Sequence, residues 1–275
     1  MHARPQPDVP DIRTSNARRY QRAPSMTVLV TGGAGYIGSH MVHALVDAGE
    51  RVVVLDNLAT GFDWAIAKGA SLVIGDVGDR PCVAALIAEH RVDAVVHFAA
   101  STVVPDSVHD PLGYYHNNTV NSHALIESAV KGGVRHFIFS STAAVYGNPE
   151  RVPVREDDAT VPMSPYGSSK LMTEIMLRDA GRAHGLRYVI LRYFNVAGAD
   201  PLGRIGQSSK RATHLVKVSV ETALGLRPGC LRQFGTIFMC PISCARIPMR
   251  WRICAAAASP PRSIAVTAGV FPCSR

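Results

Sequence analysis

Residues 28–45 read VLVTGGAGYIGSHMVHAL, an apolar run that breaks on glycines and resumes as a helix-like stretch. Gly32, Gly35 and Gly38 fall between the expected strand and the expected helix. That spacing needs small residues, because the backbone must turn sharply, approach a ligand closely and let helix and strand pack. Amide groups at the start of such a helix face outward, and the helix dipole there favours negative charge. A dinucleotide's diphosphate is the ligand this geometry suits.

Short apolar runs and longer helical stretches alternate on the C-terminal side of this segment. The runs are TVLVT, RVVVLD, LVIGD, AVVHFAA, HFIFSS and YVILRYF, each apolar on both faces. Such strands predict a parallel sheet covered on both sides, with right-handed crossovers and ligands at the carboxyl ends of the strands. The fold class expected is α/β, a doubly wound parallel sheet of Rossmann type with an incomplete C-terminal substrate-binding part. We read 1–25 as a disordered leader with Met26 as a candidate start. Residues 26–198 are then the dinucleotide-binding domain, 199–236 the start of a second domain, and 237–275 a poorly ordered tail.

Composition narrows the function classes. With 47% hydrophobic residues, the 275-residue chain can bury a full core. No apolar run reaches the roughly 18–20 residues of a membrane span, and no secretory signal is recognisable at the N-terminus, so a cytoplasmic location and no membrane partner are expected. The net charge of +8 sits at the ends. Arg4, Arg13, Arg18, Arg19 and Arg22 face only Asp8 and Asp11, and Arg246, Arg250, Arg252, Arg262 and Arg275 lie in a stretch without acids. The neutral middle offers no basic face for nucleic acid. Cys240, Cys244, Cys254 and Cys273 crowd the end without the paired spacing of a zinc site, so no metal is expected.

Asp56 closes the second strand, where a carboxylate can accept hydrogen bonds from a ribose 2′-hydroxyl and would repel a 2′-phosphate. That favours NAD over NADP; an ordinary strand-end turn is the competing reading. Asp76 ends the third strand, near an adenine or as a helix N-cap. Tyr166 and Lys170 share a helical face in SPYGSSK. An ammonium beside a phenol favours the phenolate and pulls its pKa down, making Tyr166 a usable base. Ser140, Ser141 and Thr142 end the strand FIFSST, where hydroxyls can orient a sugar hydroxyl toward that base.

TGGAGYIGSH, the strand end Phe98–Ala100, YYHNN at 114–118, SSTAAVYG, PYGSSK and LRYFNVAGA occur in the order and spacing found in UDP-glucose 4-epimerases. From Met26 to about Thr236 the chain resembles that family of extended short-chain dehydrogenases. The resemblance implies NAD as cofactor and a UDP-sugar as substrate. It implies NAD contacts at Gly32, Gly35, Tyr36, Ile37, Gly38, Asp56, Asn57, Asp76, Val77, Phe98, Ala99, Ala100, Asn117, Tyr166, Lys170 and Tyr193. Tyr166 would be the acid/base, Thr142 would bond the 4-hydroxyl, and Lys170 would hold the nicotinamide ribose. Asn195 would bind the substrate's phosphates, and His214 and Leu215 would open the uridine segment. The implied reaction, a step of galactose metabolism, passes through a 4-keto sugar that is reduced again on its other face. Family members usually pair into dimers through two helices.

One departure and one discriminating point stand out. Thr102 occupies a position where many members carry lysine, so one cofactor contact is expected to be missing. Ala143 and Ala144 replace the acidic pair that follows the threonine in sugar-nucleotide dehydratases, which favours epimerisation. After Gly235 the pattern vanishes, and Glu221 is the last acid. Reading codons from Met239 onward one base earlier restores acids and the epimerase patterns HVSDL and NCGYGRGFSVLE, so we read this stretch as a frameshift. A second reading stands beside the epimerase: a non-catalytic NAD-binding remnant. An epimerase for another UDP-sugar is a third.

Overall fold

The computed structural model describes residues 25–209, 215–226 and 240–241. The expected leader, most of the expected tail with Cys244, Cys254, Cys273 and nearly all of the frameshift reading, and His214 lie outside the described residues.

Six parallel strands form one sheet: β1 (Thr27–Thr31), β2 (Arg51–Asp56), β3 (Ser71–Ile74), β4 (Ala94–His97), β5 (His136–Thr142) and β6 (Arg187–Tyr193). Their order is β3-β2-β1-β4-β5-β6, so the chain direction across the sheet reverses between β1 and β4. In such sheets the crevice at that reversal, at the carboxyl ends, is where ligands bind. The helices α1 (Tyr36–Asp47), α2 (Arg80–His90), α3 (Val104–His109), α4 (Pro111–Tyr115), α5 (Asn121–Lys131) and α6 (Pro165–His184) link or follow these strands. Beyond the sheet, β7 (Val196–Ala197) pairs with β8 (Cys240–Pro241), and α7 spans Leu215–Ala223.

Two apolar layers sandwich the sheet. On one face Leu29, Val53, Val95, Phe137 and Phe139 pack with Leu125 and Leu177; on the other Val28, Val30, Val54, Val96 and Ile138 pack with Met41, Val42 and Leu45. The period-2 alternation of strand side chains explains why both faces of each central run are apolar. One expectation fails at the margin. β3 was expected to be covered on both faces, yet Ser71 and Ile74 are exposed and Leu72 and Val73 only half-buried, because β3 is the edge strand and pairs only with β2.

Candidate active site

The glycine segment folds as its spacing requires. Gly32 adopts φ +69°, and a Cβ there would lie 2.5 Å from the Ala99 nitrogen, so only glycine lets the end of β4 approach this turn. A Cβ on Gly38 would lie 2.1 Å from the Gly32 carbonyl oxygen, fixing how closely α1 packs on the turn. Gly35 is the N-cap of α1; no side chain caps this helix and no acid stands in its first turn. Its first amides are therefore left for an external anion. Tyr36 donates through its hydroxyl to the Gly198 carbonyl at 2.6 Å, tying the helix start to the segment after β7. Ile37 beside it is half-buried.

Asp56 forms the strand-end turn considered for it and also anchors the glycine segment. One oxygen accepts the Leu58 amide at 2.8 Å, an Asx turn, and the other accepts the Ala34 amide at 2.9 Å, anchoring the glycine turn. Asp76 is not a helix cap: the N-cap of α2 is Asp79, which accepts from the Cys82 amide at 3.0 Å. Asp76 instead receives Asn57 at 3.2 Å, Asn121 at 3.1 Å and the Gly78 amide at 2.8 Å. Asp76, Gly78 and Asn121, with Asn117, border an open groove. The Val77 side chain belongs to the core, so only its backbone can face a ligand.

After β4, Phe98, Ala99 and Ala100 run past Gly32, and Ser101 is held from two sides. Its amide donates to Asn118 Oδ1 at 2.8 Å, and its hydroxyl accepts from Asn117 at 2.8 Å. The exposed Thr102 follows. Between α4 and α5 the helix makes one π turn over His116–Val120, a form that often marks functional sites. Asn118 in this turn also donates to Ser169 Oγ at 3.1 Å, reaching α6 between Tyr166 and Lys170.

A residue that the sequence reading passed over lies beneath. His97 is 1% exposed, with Nδ1 2.7 Å from Thr31 Oγ1 and Nε2 2.8 Å from Ser122 Oγ. Ser122 gives its one proton to the Asn118 carbonyl, so its oxygen must accept from Nε2–H, and Nδ1 accepts from Thr31. The imidazole is thus neutral. Burial, followed by the charge of Lys170, holds its pKa down at about 3.

The helix that carries Tyr166 and Lys170 begins at Pro165, behind Ser164, whose hydroxyl accepts the Gly167 amide at 3.2 Å as an N-cap. Tyr166, Lys170 and Thr142 meet at the carboxyl ends of the strands, the same rim as the glycine turn. Thr142 ends β5, accepts the Ala144 amide at 3.1 Å, and hydrogen-bonds Tyr166. Lys170, 3% exposed, donates to the Ser140 carbonyl at 3.0 Å and sits 5.0 Å over the Phe139 ring. Burial holds its pKa down at about 7. Here the structure corrects an expectation. The Tyr166 pKa is raised, because burial outweighs the Thr142 hydrogen bond, with Tyr114 adding to the rise; Lys170 is engaged by Ser140 and Phe139. Tyr193 stands opposite Thr142 in the β5–β6 register. Asn195 is exposed just past it, and Leu215 starts α7.

Known proteins share this sequence and fold. Residues 28–225 match the model of the NAD dependent epimerase/dehydratase family. The chain is 59% identical over 221 residues to a UDP-glucose 4-epimerase of Azospirillum brasilense, across 80% of this chain and 63% of that protein. A Brucella ovis UDP-glucose 4-epimerase structure in complex with NAD superposes with a TM-score of 0.72 at 42% identity, covering 74% of this chain and 62% of that one. A Bifidobacterium longum UDP-glucose 4-epimerase in complex with NAD+ and UDP gives 0.70 at 36%, covering 74% and 64%. The chain thus spans less than two thirds of the length of these relatives. It is a member of the NAD dependent epimerase/dehydratase family.

Proposed function

We propose that this chain carries the NAD-binding and acid/base machinery of a UDP-glucose 4-epimerase. The observation that carries the proposal is the convergence of Tyr166, Lys170 and Thr142 on the strand rim that also bears the uncapped start of α1.

The residues present fit the cofactor. The amides of Tyr36 and Ile37 would take the diphosphate behind Gly35, while Gly32 and Gly38 let the backbone pack closely around the turn, where a Cβ could not be placed. Asp56 and Asn57 would hold a ribose, Asp76, Asn117 and the Val77 backbone would hold the adenine end, and Phe98, Ala99, Ala100 and Tyr193 would flank the middle. Bound NAD supplies a hydride acceptor that returns the hydride at the end of the cycle. Tyr166 takes the proton of the sugar's 4-hydroxyl and gives it back. Thr142 holds that hydroxyl in line, and Lys170 binds the nicotinamide ribose. Asn195, with His214 and Leu215, is assigned to the UDP part of the substrate. The division into a 26–198 cofactor domain and a substrate domain from residue 199 belongs to the same proposal.

Two finer points go with it. No helix among the described residues is long and apolar enough to cross a membrane, and a cytoplasmic location follows the sequence reading. Pairing into a homodimer is supported by exposed apolar side chains on packed helices: Leu112 on α4, 77% exposed, and Met172 and Ile175 on α6.

The match covers 63% of the Azospirillum relative, and the alternative weighed beside the epimerase is an NAD-binding protein without turnover. Purified protein should release NAD on denaturation and convert UDP-galactose to UDP-glucose. Tyr166→Phe should lower turnover about 10³-fold with NAD still bound. Full turnover in that variant would remove Tyr166 from the mechanism; NAD retention with no conversion would establish the alternative.

A further inference from the structure

Behind Tyr166 and Lys170 lies a buried ionic group that the proposed chemistry does not use. Glu174 follows them at the same helical interval on α6 and is 0% exposed. Its Oε1 accepts from Ser141 Oγ at 2.5 Å and from Arg192 Nε at 3.0 Å. Its Oε2 accepts from Arg192 Nη2 at 2.7 Å and from Arg178 Nη2 at 2.9 Å. Arg192, 4% exposed, also donates through Nη1 to the Tyr146 hydroxyl at 2.8 Å and to the Glu156 carbonyl, and lies 4.8 Å over the Tyr146 ring. Ser141 and Arg192 are register partners on β5 and β6, one step before the pair Thr142 and Tyr193.

We infer that Glu174 is a positioning residue: its carboxylate, shared by Ser141 and Arg192, fixes the face of α6 bearing Tyr166 and Lys170 against the strand ends bearing Thr142 and Tyr193. A buried ion pair adds little stability that a well-packed apolar pair would not, because desolvation opposes the attraction. What four directed hydrogen bonds add is a fixed distance and angle. Acid/base chemistry is sensitive to that quantity, since a misplacement of about 1 Å can cost about 100-fold in rate. Arg192 extends the constraint through Tyr146 to the turn that follows Thr142.

The inference rests on the epimerase reading for turnover, but one of its readouts does not. The test compares the NAD-loaded protein with Glu174→Gln and Ser141→Ala, the latter removing one hydrogen bond of the group. Turnover number should fall about 10- to 100-fold in Glu174→Gln and less in Ser141→Ala, with KM for UDP-galactose within about 3-fold. The titration of the Tyr166 phenol, identified as the ultraviolet phenolate step missing from Tyr166→Phe, should move upward by about 0.5 unit or more as the Thr142 hydrogen bond loosens. If the variants lose thermal stability while turnover number, KM and the phenol midpoint stay unchanged, the group is only cohesive and the inference fails. If the parent protein shows no turnover, the epimerase reading fails and the phenol midpoint alone decides. If Glu174→Gln does not fold, Ser141→Ala carries the same comparison.

Discussion

The two halves of the site are built from different materials. The cradle at β1, α1 and β2 is made of backbone: glycines that admit no Cβ, amides left uncapped, and a carboxylate, Asp56, that serves two main-chain donors. The half at β5, α6 and β6 is made of ionisable side chains, Lys170, Glu174 and Arg192 buried and Tyr166 half-buried. The first half fails when its shape changes, the second when its charges do. A substitution that only adds volume should therefore damage the cradle most, and one that only removes charge should be felt mainly at α6.

The sharpest break of that comparison is Gly38→Ala. Its new methyl would meet the Gly32 carbonyl oxygen at 2.1 Å, backbone against backbone, so α1 must shift off the turn. We expect about 3 kcal/mol of lost stability and loss of copurifying NAD, read by thermal denaturation and by the nucleotide released. Retained NAD would mean that the cradle tolerates a displacement the structure gives it no room for.

Lys170→Met probes the other half and should act in the opposite direction on stability. The Lys170 amine falls from its ordinary value of 10.5 to about 7 on folding. The unfolded chain therefore binds the proton more tightly, and stability is lost as pH falls from 10.5 to about 7. Replacing the amine with an apolar chain should stabilise the cofactor-free protein at pH 7 by about 2 kcal/mol while abolishing turnover. Chemical denaturation at pH 7 and at pH 10 checks this, since the gain should shrink at the higher pH.

The smallest effect concerns His97, which joins the halves. Its folded pKa of about 3 lies below the 6.5 of an ordinary histidine. Stability from this group is complete above pH 6.5 and declines as pH falls toward 3, at up to about 1.4 kcal/mol per pH unit. His97→Gln should remove one proton's worth of that slope in denaturation curves between pH 6 and 4. An unchanged slope would show that the ring is already charged in the folded protein, against the donor chain Thr31–His97–Ser122–Asn118.

The sequence was most legible where local pattern and global fold agree. The six apolar runs, the glycine spacing and the Tyr166–Lys170 interval each depend on neighbours in the chain, and each lies where its reading puts it. Asp56 and Asp76 were legible as strand-end acids, but not in their partners: Ala34 and Asn121 are brought to them by the fold. His97 was hidden because it sits inside an apolar run and reads as strand. Glu174 was hidden because a charged residue one turn after a lysine reads as a solvated helix pair; its burial depends on β6, which supplies Arg192 from further along the chain. The Tyr166 pKa was misjudged because helical spacing shows that an ammonium is near, not that a carbonyl and an aromatic ring already hold it.

The π turn at His116–Val120 makes residue count itself a structural quantity. A π turn holds one residue more than the α turn it replaces, and each residue of helix advances the azimuth by about 100°. Wound as ordinary α-helix with the same number of residues, the segment would swing all of α5 by that angle. Ser122 would leave His97, and Leu125, now fully buried, would rotate away from Phe137 and Leu177. Through this segment the chain is more sensitive to its length than to the identity of its exposed residues, and an insertion or deletion would unsettle the acid/base helix through Asn118 without altering any residue on it.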